Sequence, residues 1–166
     1  GAAYSTNTSF NPTNNNTDFE ICTFINNTAG FNGGAVDWAK GATYGYITYS
    51  TFTNNTAGRS GGAVHWSGHE GTILHSTFTN NKALGTTGAE LDRGDGGALI
   101  WIGYDGDVEN CTFINNTAAV RGGAVFLEEG NGIECFNTTF NNCTFTGNHA
   151  GTNGGAIDWH DDADHG

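Results

Sequence analysis

Basic side chains are scarce in this chain: five lysines and arginines stand against 17 aspartates and glutamates, for a formal net charge of -12. So acidic a chain has no basic patch with which to displace counterions from a phosphate backbone, and it repels anionic membrane surfaces as well. Nucleic acid is therefore excluded as a partner class. No apolar run approaches the roughly 18 residues a membrane span needs, and the N-terminus has neither the charged nor the apolar region of a signal peptide. The expectation is a soluble chain, mature or a fragment, with no membrane insertion. Methionine is absent and proline occurs once, whereas glycine reaches 27 residues in 166. Low hydrophobicity with abundant Gly, Asn and Thr also describes a disordered chain. Periodicity decides against disorder.

The chain aligns on Phe24, Phe52, Phe78, Phe113 and Phe145. Three residues after each stands an asparagine (Asn27, Asn55, Asn81, Asn116, Asn148), and two further on an alanine (Ala29, Ala57, Ala83, Ala118, Ala150). A Gly-Gly-Ala triplet begins at Gly33, Gly61, Gly122 and Gly154, and in the third repeat at Gly96, delayed by an insertion spanning about Gly85 to Arg93. Each triplet leads into an aliphatic residue (Val36, Val64, Leu99, Val125, Ile157) and then Trp38, Trp66, Trp101, Leu127 or Trp159. Another apolar column, Phe19, Ile47, Ile73, Val108 and Phe140, precedes the phenylalanines by five residues.

These spacings fit no helical period, and each apolar piece is short, β-branched or aromatic, and bounded by Gly or Asn. A unit of this length cannot bury its own apolar side, so equivalent positions must stack in successive coils about 4.8 Å apart. The fold class expected is all-β, a right-handed parallel β-helix (solenoid) of about five coils, with residues 19–159 as the repeats, 1–18 as a partial coil or strand-addition arm, and 160–166 as an acidic tail. Strand parity points Phe24 and its equivalents inward, together with the small residue two before (Cys22, Ser50, Ser76, Cys111, Cys143). The Asn27 column suits a corner of left-handed backbone where each amide bonds the next. Gly-Gly suits a corner of close backbone approach. Trp shares a face with the aliphatic column, leaving open whether it fills the core or caps its edge.

The paired signatures Phe-x-x-Asn and Gly-Gly-Ala-aliphatic, five of each from Phe19 to Trp159, resemble the repeats of chlamydial-type polymorphic outer-membrane proteins and of related adhesin-like surface proteins of bacteria and methanogenic archaea. That resemblance implies an extracellular or cell-surface rod, often adhesive, although these residues include no counterpart of a membrane barrel or anchor.

Chemistry is thinly spread. Asp37 and Asp158 both point outward on the strand after Gly-Gly-Ala, but four coils apart, roughly 19 Å by the rung spacing. An acid and base acting on one glycosidic bond stand about 5 to 9.5 Å apart. His65, Ile100 and Phe126 complete that column, and Lys40, Arg59, Lys82, Arg93 and Arg121 share no common offset with acids, so no catalytic residue is assigned and no enzyme is expected; a polysaccharide-acting enzyme is the least favoured reading. Asp105, Asp107 and Glu109 alternate in a connection and are weak calcium candidates, a solvated turn being the blander reading; otherwise no cofactor is expected. The tail residues His160, Asp161, Asp162, Asp164 and His165 read as a disordered acidic terminus. Cys111 and Cys143 fall on neighbouring rungs, near enough for a disulfide but badly aimed for one, and Cys135 is an alternative partner. Stacked core thiols are the other reading.

Several surface features remain. Asn7, Asn15, Asn26, Asn54, Asn110, Asn115, Asn137 and Asn142 head glycosylation sequons, of which Asn26, Asn54 and Asn115 share one offset, with Asn110 and Asn142 as further candidates. Arg93-Gly94-Asp95 is a tripeptide that some receptors read. Thr23, Thr51, Thr77, Thr112 and Thr144, with Thr53, Thr79 and Thr146 two residues on, resemble the Thr-x-Thr face of insect-type ice-binding proteins; exposed strands also favour β-branched residues in general. The function expected is thus a non-catalytic surface module, structural or adhesive, with a glycan or host-surface ligand and with ice binding as the alternative. Neither end carries a helical cap, so either a longer parent chain or homotypic end-to-end contacts, building a filament, are expected to cover the end coils.

Overall fold

The structure is a computed structural model that describes residues 3–5, 17–38, 43–85, 94–128 and 137–160. Its strands form four parallel sheets, here called faces 1 to 4 in the order a coil visits them. Face 1 comprises Asp18–Glu20, Tyr46–Thr48, Thr72–Leu74, Asp107–Glu109 and Thr139–Asn141; face 2 comprises Thr23–Ile25, Thr51–Thr53, Thr77–Thr79, Thr112–Ile114 and Thr144–Thr146. Face 3 is the two-residue strands Thr28–Ala29, Thr56–Ala57, Lys82–Ala83, Thr117–Ala118 and His149–Ala150. Face 4 comprises Val36–Trp38, Val64–Trp66, Leu99–Trp101, Val125–Glu128 and Ile157–His160, preceded by Ala3–Ser5, which pairs in parallel with Val36–Trp38 of the same chain as a partial coil.

Every strand pairs in register with its counterpart one coil away, as in Phe24↔Phe52, Phe52↔Phe78, Phe78↔Phe113 and Phe113↔Phe145. Their rings stack with centroids 4.7, 4.8, 4.8 and 4.8 Å apart and planes within 3° to 7° of parallel. The rung spacing is thus that of a β-ladder. Phe52, Phe78 and Phe113, Ile47, Ile73 and Val108, Val64 and Leu99 are fully buried, and so are Trp38, Trp66 and Trp101. Tryptophan therefore fills the core. Each indole lies over the glycine that opens the next coil: a Cβ on Gly45, Gly71 or Gly106 would stand 2.1, 2.0 or 2.5 Å from Cζ2 of Trp38, Trp66 or Trp101. In the fourth coil the indole is replaced by Leu127, and there the equivalent position is not glycine but buried Thr138.

Two polar ladders run inside the apolar columns. The Oδ1 of Asn55 accepts from the backbone N–H and the Nδ2 of Asn27 at 3.0 and 2.9 Å, and its own Nδ2 donates to Asn81 Oδ1 and to the carbonyl of Phe24. Asn81, Asn116 and Asn148 repeat the pattern. The small column does the same with one heteroatom: Ser50 Oγ accepts from Cys22 N–H and donates to the carbonyl of Thr48, and Ser76 N–H approaches Cys111 Sγ at 3.5 Å.

The corners correct one expectation. The left-handed residue is not the ladder asparagine but the residue before it: Asn26, Asn54, Asn80, Asn115 and Gly147 have φ between 52° and 64°. A ladder asparagine must point inward to bond its neighbours, and it does so from ordinary backbone once the preceding residue has made the turn. The Gly-Gly pair divides its work likewise. Gly61 has φ +68°, whereas a Cβ on Gly62 would meet Gly97 O at 2.0 Å, so the first glycine turns and the second admits the next coil's backbone.

Candidate functional site

The densest chemistry lies on the outer side of face 4 in the first two coils. Alternation along Val36–Trp38 and Val64–Trp66 turns Val and Trp inward, so Asp37 and His65 point outward, and the register sets them side by side on adjacent rungs. His65 Nδ1 is 2.7 Å from Asp37 Oδ1. A carboxylate only accepts, so Nδ1 carries a proton, and in the neutral ring Nε2 presents its lone pair. Ser67, two residues on and on the same side of the strand, brings Oγ to 3.4 Å from that nitrogen, and Asn32 Nδ2 lies 3.5 Å from it. The imidazole is nearly covered, at 9% exposed, whereas Asp37 and Ser67 are half-buried.

Further along the stack, on the corner before face 4, Arg121 and Asp95 form a buried pair. Arg121 Nη2 lies 2.9 Å from Asp95 Oδ2 and Nε 3.3 Å from Oδ1, Arg121 N–H also donates to Oδ1, and the guanidinium sits 4.1 Å over the ring of Phe126. Asp95 N–H in turn donates to Ser60 Oγ, and Ser60 N–H to Asn32 Oδ1. This corner is a third ladder, built of unlike residues. Ile100 and Phe126, although they point out from face 4, are 3% and 0% exposed, so in the third and fourth coils the outer side of this face is not open to water.

The family model for the right-handed β-helix region matches residues 5–164, nearly the whole chain. The chain belongs to the right-handed β-helix family. No curated protein and no solved structure matches it.

Within this β-helix the other sequence candidates fall as follows. Asp37 and Asp158 stand four coils apart in one outward column through His65, Ile100 and Phe126. Arg121 pairs with Asp95, which reaches it through the longer third coil, so the pair follows no common offset in the repeat alignment. The same pair corrects the receptor tripeptide: Asp95 is 2% exposed with its carboxylate held by Arg121, and Arg93 lies outside the described residues. Asp105, Asp107 and Glu109 lie along one outward edge, where Asp105 accepts from Asn137 Nδ2 and Asp107 from the Thr139 hydroxyl. Among the described residues no group of three or more His, Cys, Asp or Glu side chains converges as a metal site.

Cys111 and Cys143 are free thiols stacked on neighbouring rungs, and Cys22 is free as well; Cys135, Asn7, Asn15 and the tail from Asp161 lie outside the described residues. A hydrogen bond between the two thiols, together with burial, pushes Cys111 up, while the same bond draws half-buried Cys143 down to about 7. Asn26, Asn54, Asn110, Asn115, Asn137 and Asn142 all sit at left-handed corners with φ of 51° to 56°. The coil itself explains these sequons: an Asn that turns, an inward residue, then an outward Thr opening the next strand. Thr23, Thr51, Thr77, Thr112 and Thr144 form one outward rank of face 2, and Ile25, Thr53, Thr79, Ile114 and Thr146 the other.

Sequence reasoning missed Ser67, Asn32 and the Asp37–His65 contact. The column alignment already sets Asp37 beside His65, and an acid one rung from a base is the signal in the sequence that points to this contact.

Proposed function

We propose that the chain is an extracellular or cell-surface β-helix module, structural and adhesive, whose ligand is met by a lateral face and whose role there requires no turnover. The observation that carries this reading is the group of bare apolar side chains along face 1 and its corners. Ile21, Tyr44, Tyr46 and Tyr49 are 76%, 40–59% exposed in the case of the tyrosines, and Tyr49 stacks on His75 with centroids 4.8 Å apart. Exposed aromatic groups gathered on one side of a soluble protein mark interaction surfaces. Tyrosine suits a glycan, offering a flat apolar ring with a hydroxyl at its rim. The resemblance to polymorphic outer-membrane and adhesin-like repeats supports the same reading, and the exposed sequon asparagines supply positions for glycans of the chain's own. End-to-end contacts, in which partly buried rings of the outer coils meet another coil, would extend the module into a filament.

Glycan arrays and binding to intact cells test the proposal. Retained signal in the wild-type chain that disappears in Tyr46→Ser/Tyr49→Ser is the expected result; equal binding by both chains moves the ligand off this face, and no binding to any glycan or cell surface overturns adhesion. A second reading, ice binding, is favoured by one observation, the in-register two-rank outward array of face 2. Thermal hysteresis lost on Thr77→Tyr would establish it over adhesion. Absence of hysteresis removes it.

A further inference from the structure

We propose that Asp37, His65 and Ser67 form a surface acyl-transfer site with Ser67 as nucleophile, acting on short-chain carboxylic esters. This goes beyond the binding role and does not depend on it. The diagnostic arrangement for an activated serine is a hydroxyl within reach of a base that a third group orients. Here Asp37 holds the Nδ1 proton of His65 at 2.7 Å, and Ser67 Oγ faces Nε2 at 3.4 Å, a separation of the kind that tightens when substrate binds. Asn32 supplies an amide N–H on the same side, 3.5 Å from Nε2 and so within reach of an oxygen beside Ser67.

The chemistry balances without any further reactant but water. Ser67 Oγ attacks the ester carbonyl carbon while its proton passes to His65 Nε2, and the carbonyl oxygen becomes an oxyanion facing Asn32. Collapse breaks the bond to the alkoxy group, which leaves with the proton from His65 as an alcohol. Water, deprotonated by His65, then attacks the acyl-Ser67 ester and releases the carboxylic acid, restoring the serine.

A fluorophosphonate probe, followed by intact mass and peptide mapping, and p-nitrophenyl acetate hydrolysis test this on the whole chain. The expected result is one adduct per chain, on Ser67, and ester turnover, both lost in Ser67→Ala, with His65→Gln and Asp37→Asn cutting the labelling rate about a hundredfold, the low end for general acid–base assistance. Ser67 points outward, so its truncation leaves the coil intact, as the circular dichroism spectrum will verify. Tyr46→Ser leaves labelling unchanged, which separates this site from the adhesive face. Absence of labelling, or labelling that persists in Ser67→Ala, overturns the proposal.

Discussion

A single asparagine in the inner ladder satisfies several buried groups at once. Asn81 accepts from the backbone and side chain of Asn55, and donates to Phe52 O and Asn116 Oδ1, all without water, since it is 1% exposed. Asn81→Ala strands several of these groups at once, and leaving one buried donor or acceptor unmade costs about 1–3 kcal/mol. Urea denaturation of Asn81→Ala should show a loss on the order of 3 kcal/mol or more, whereas Asn80→Gly, one residue earlier at an exposed left-handed corner, should stay within about 1 kcal/mol of wild type. The thiols give a second test at this scale. Cys143 is drawn down to about 7 by its bond to Cys111, so its thiolate forms as pH rises through that value, ahead of an ordinary thiol. Iodoacetamide should modify Cys143 with a midpoint near pH 7 while Cys111 stays unreactive in the folded chain, and Cys111→Ala, which removes the donor, should move the midpoint back up.

Among elements, the contact that sets coil against coil is the indole lying on a glycine. Where the fourth coil has Leu127 in place of Trp, Thr138 stands where Gly45, Gly71 and Gly106 stand elsewhere, so the volume lost on one strand is restored on the next. Overpacking of such a site costs about 1–3 kcal/mol and occasionally more. Gly71→Thr should therefore lower the urea midpoint, and Trp66→Leu should lower it too through the cavity it opens. Combined, they reproduce the Leu127–Thr138 pairing and should recover a coupling of about 0.5–3 kcal/mol in a double-mutant cycle. Strict additivity would show that the two positions do not meet.

For the whole molecule, stability is close to a sum of coil interfaces, because each coil touches only its neighbours. Phe52, Phe78 and Phe113 are fully buried, while Phe19 and Phe24 at one end and Phe140 and Phe145 at the other are only partly so, and Trp159 is 52% exposed. Hydrogen exchange should therefore be graded, with the amides of Phe78 and its rung neighbours slowest and those of the first and last coils fastest. Uniform protection from end to end would contradict nearest-neighbour stability and point to a single cooperative unit.

The inward columns, the strand register and the turn positions were legible in the amino-acid sequence, because a one-residue slip would expose every Phe and Asn of a strand and the five repeats admit one alignment only. Tertiary structure decided what happens across coils of unequal length, 28, 26, 35 and 32 residues between successive ladder asparagines. The pairing of Arg121 with Asp95 needed the path of the long third coil. The division of labour between Asn54 and Asn55 needed backbone angles. Asp37 and His65 were adjacent in the alignment, but alignment gives neighbours and not the direction of a proton: that depends on side-chain rotamers and on the burial of the ring, which only the packed coils set.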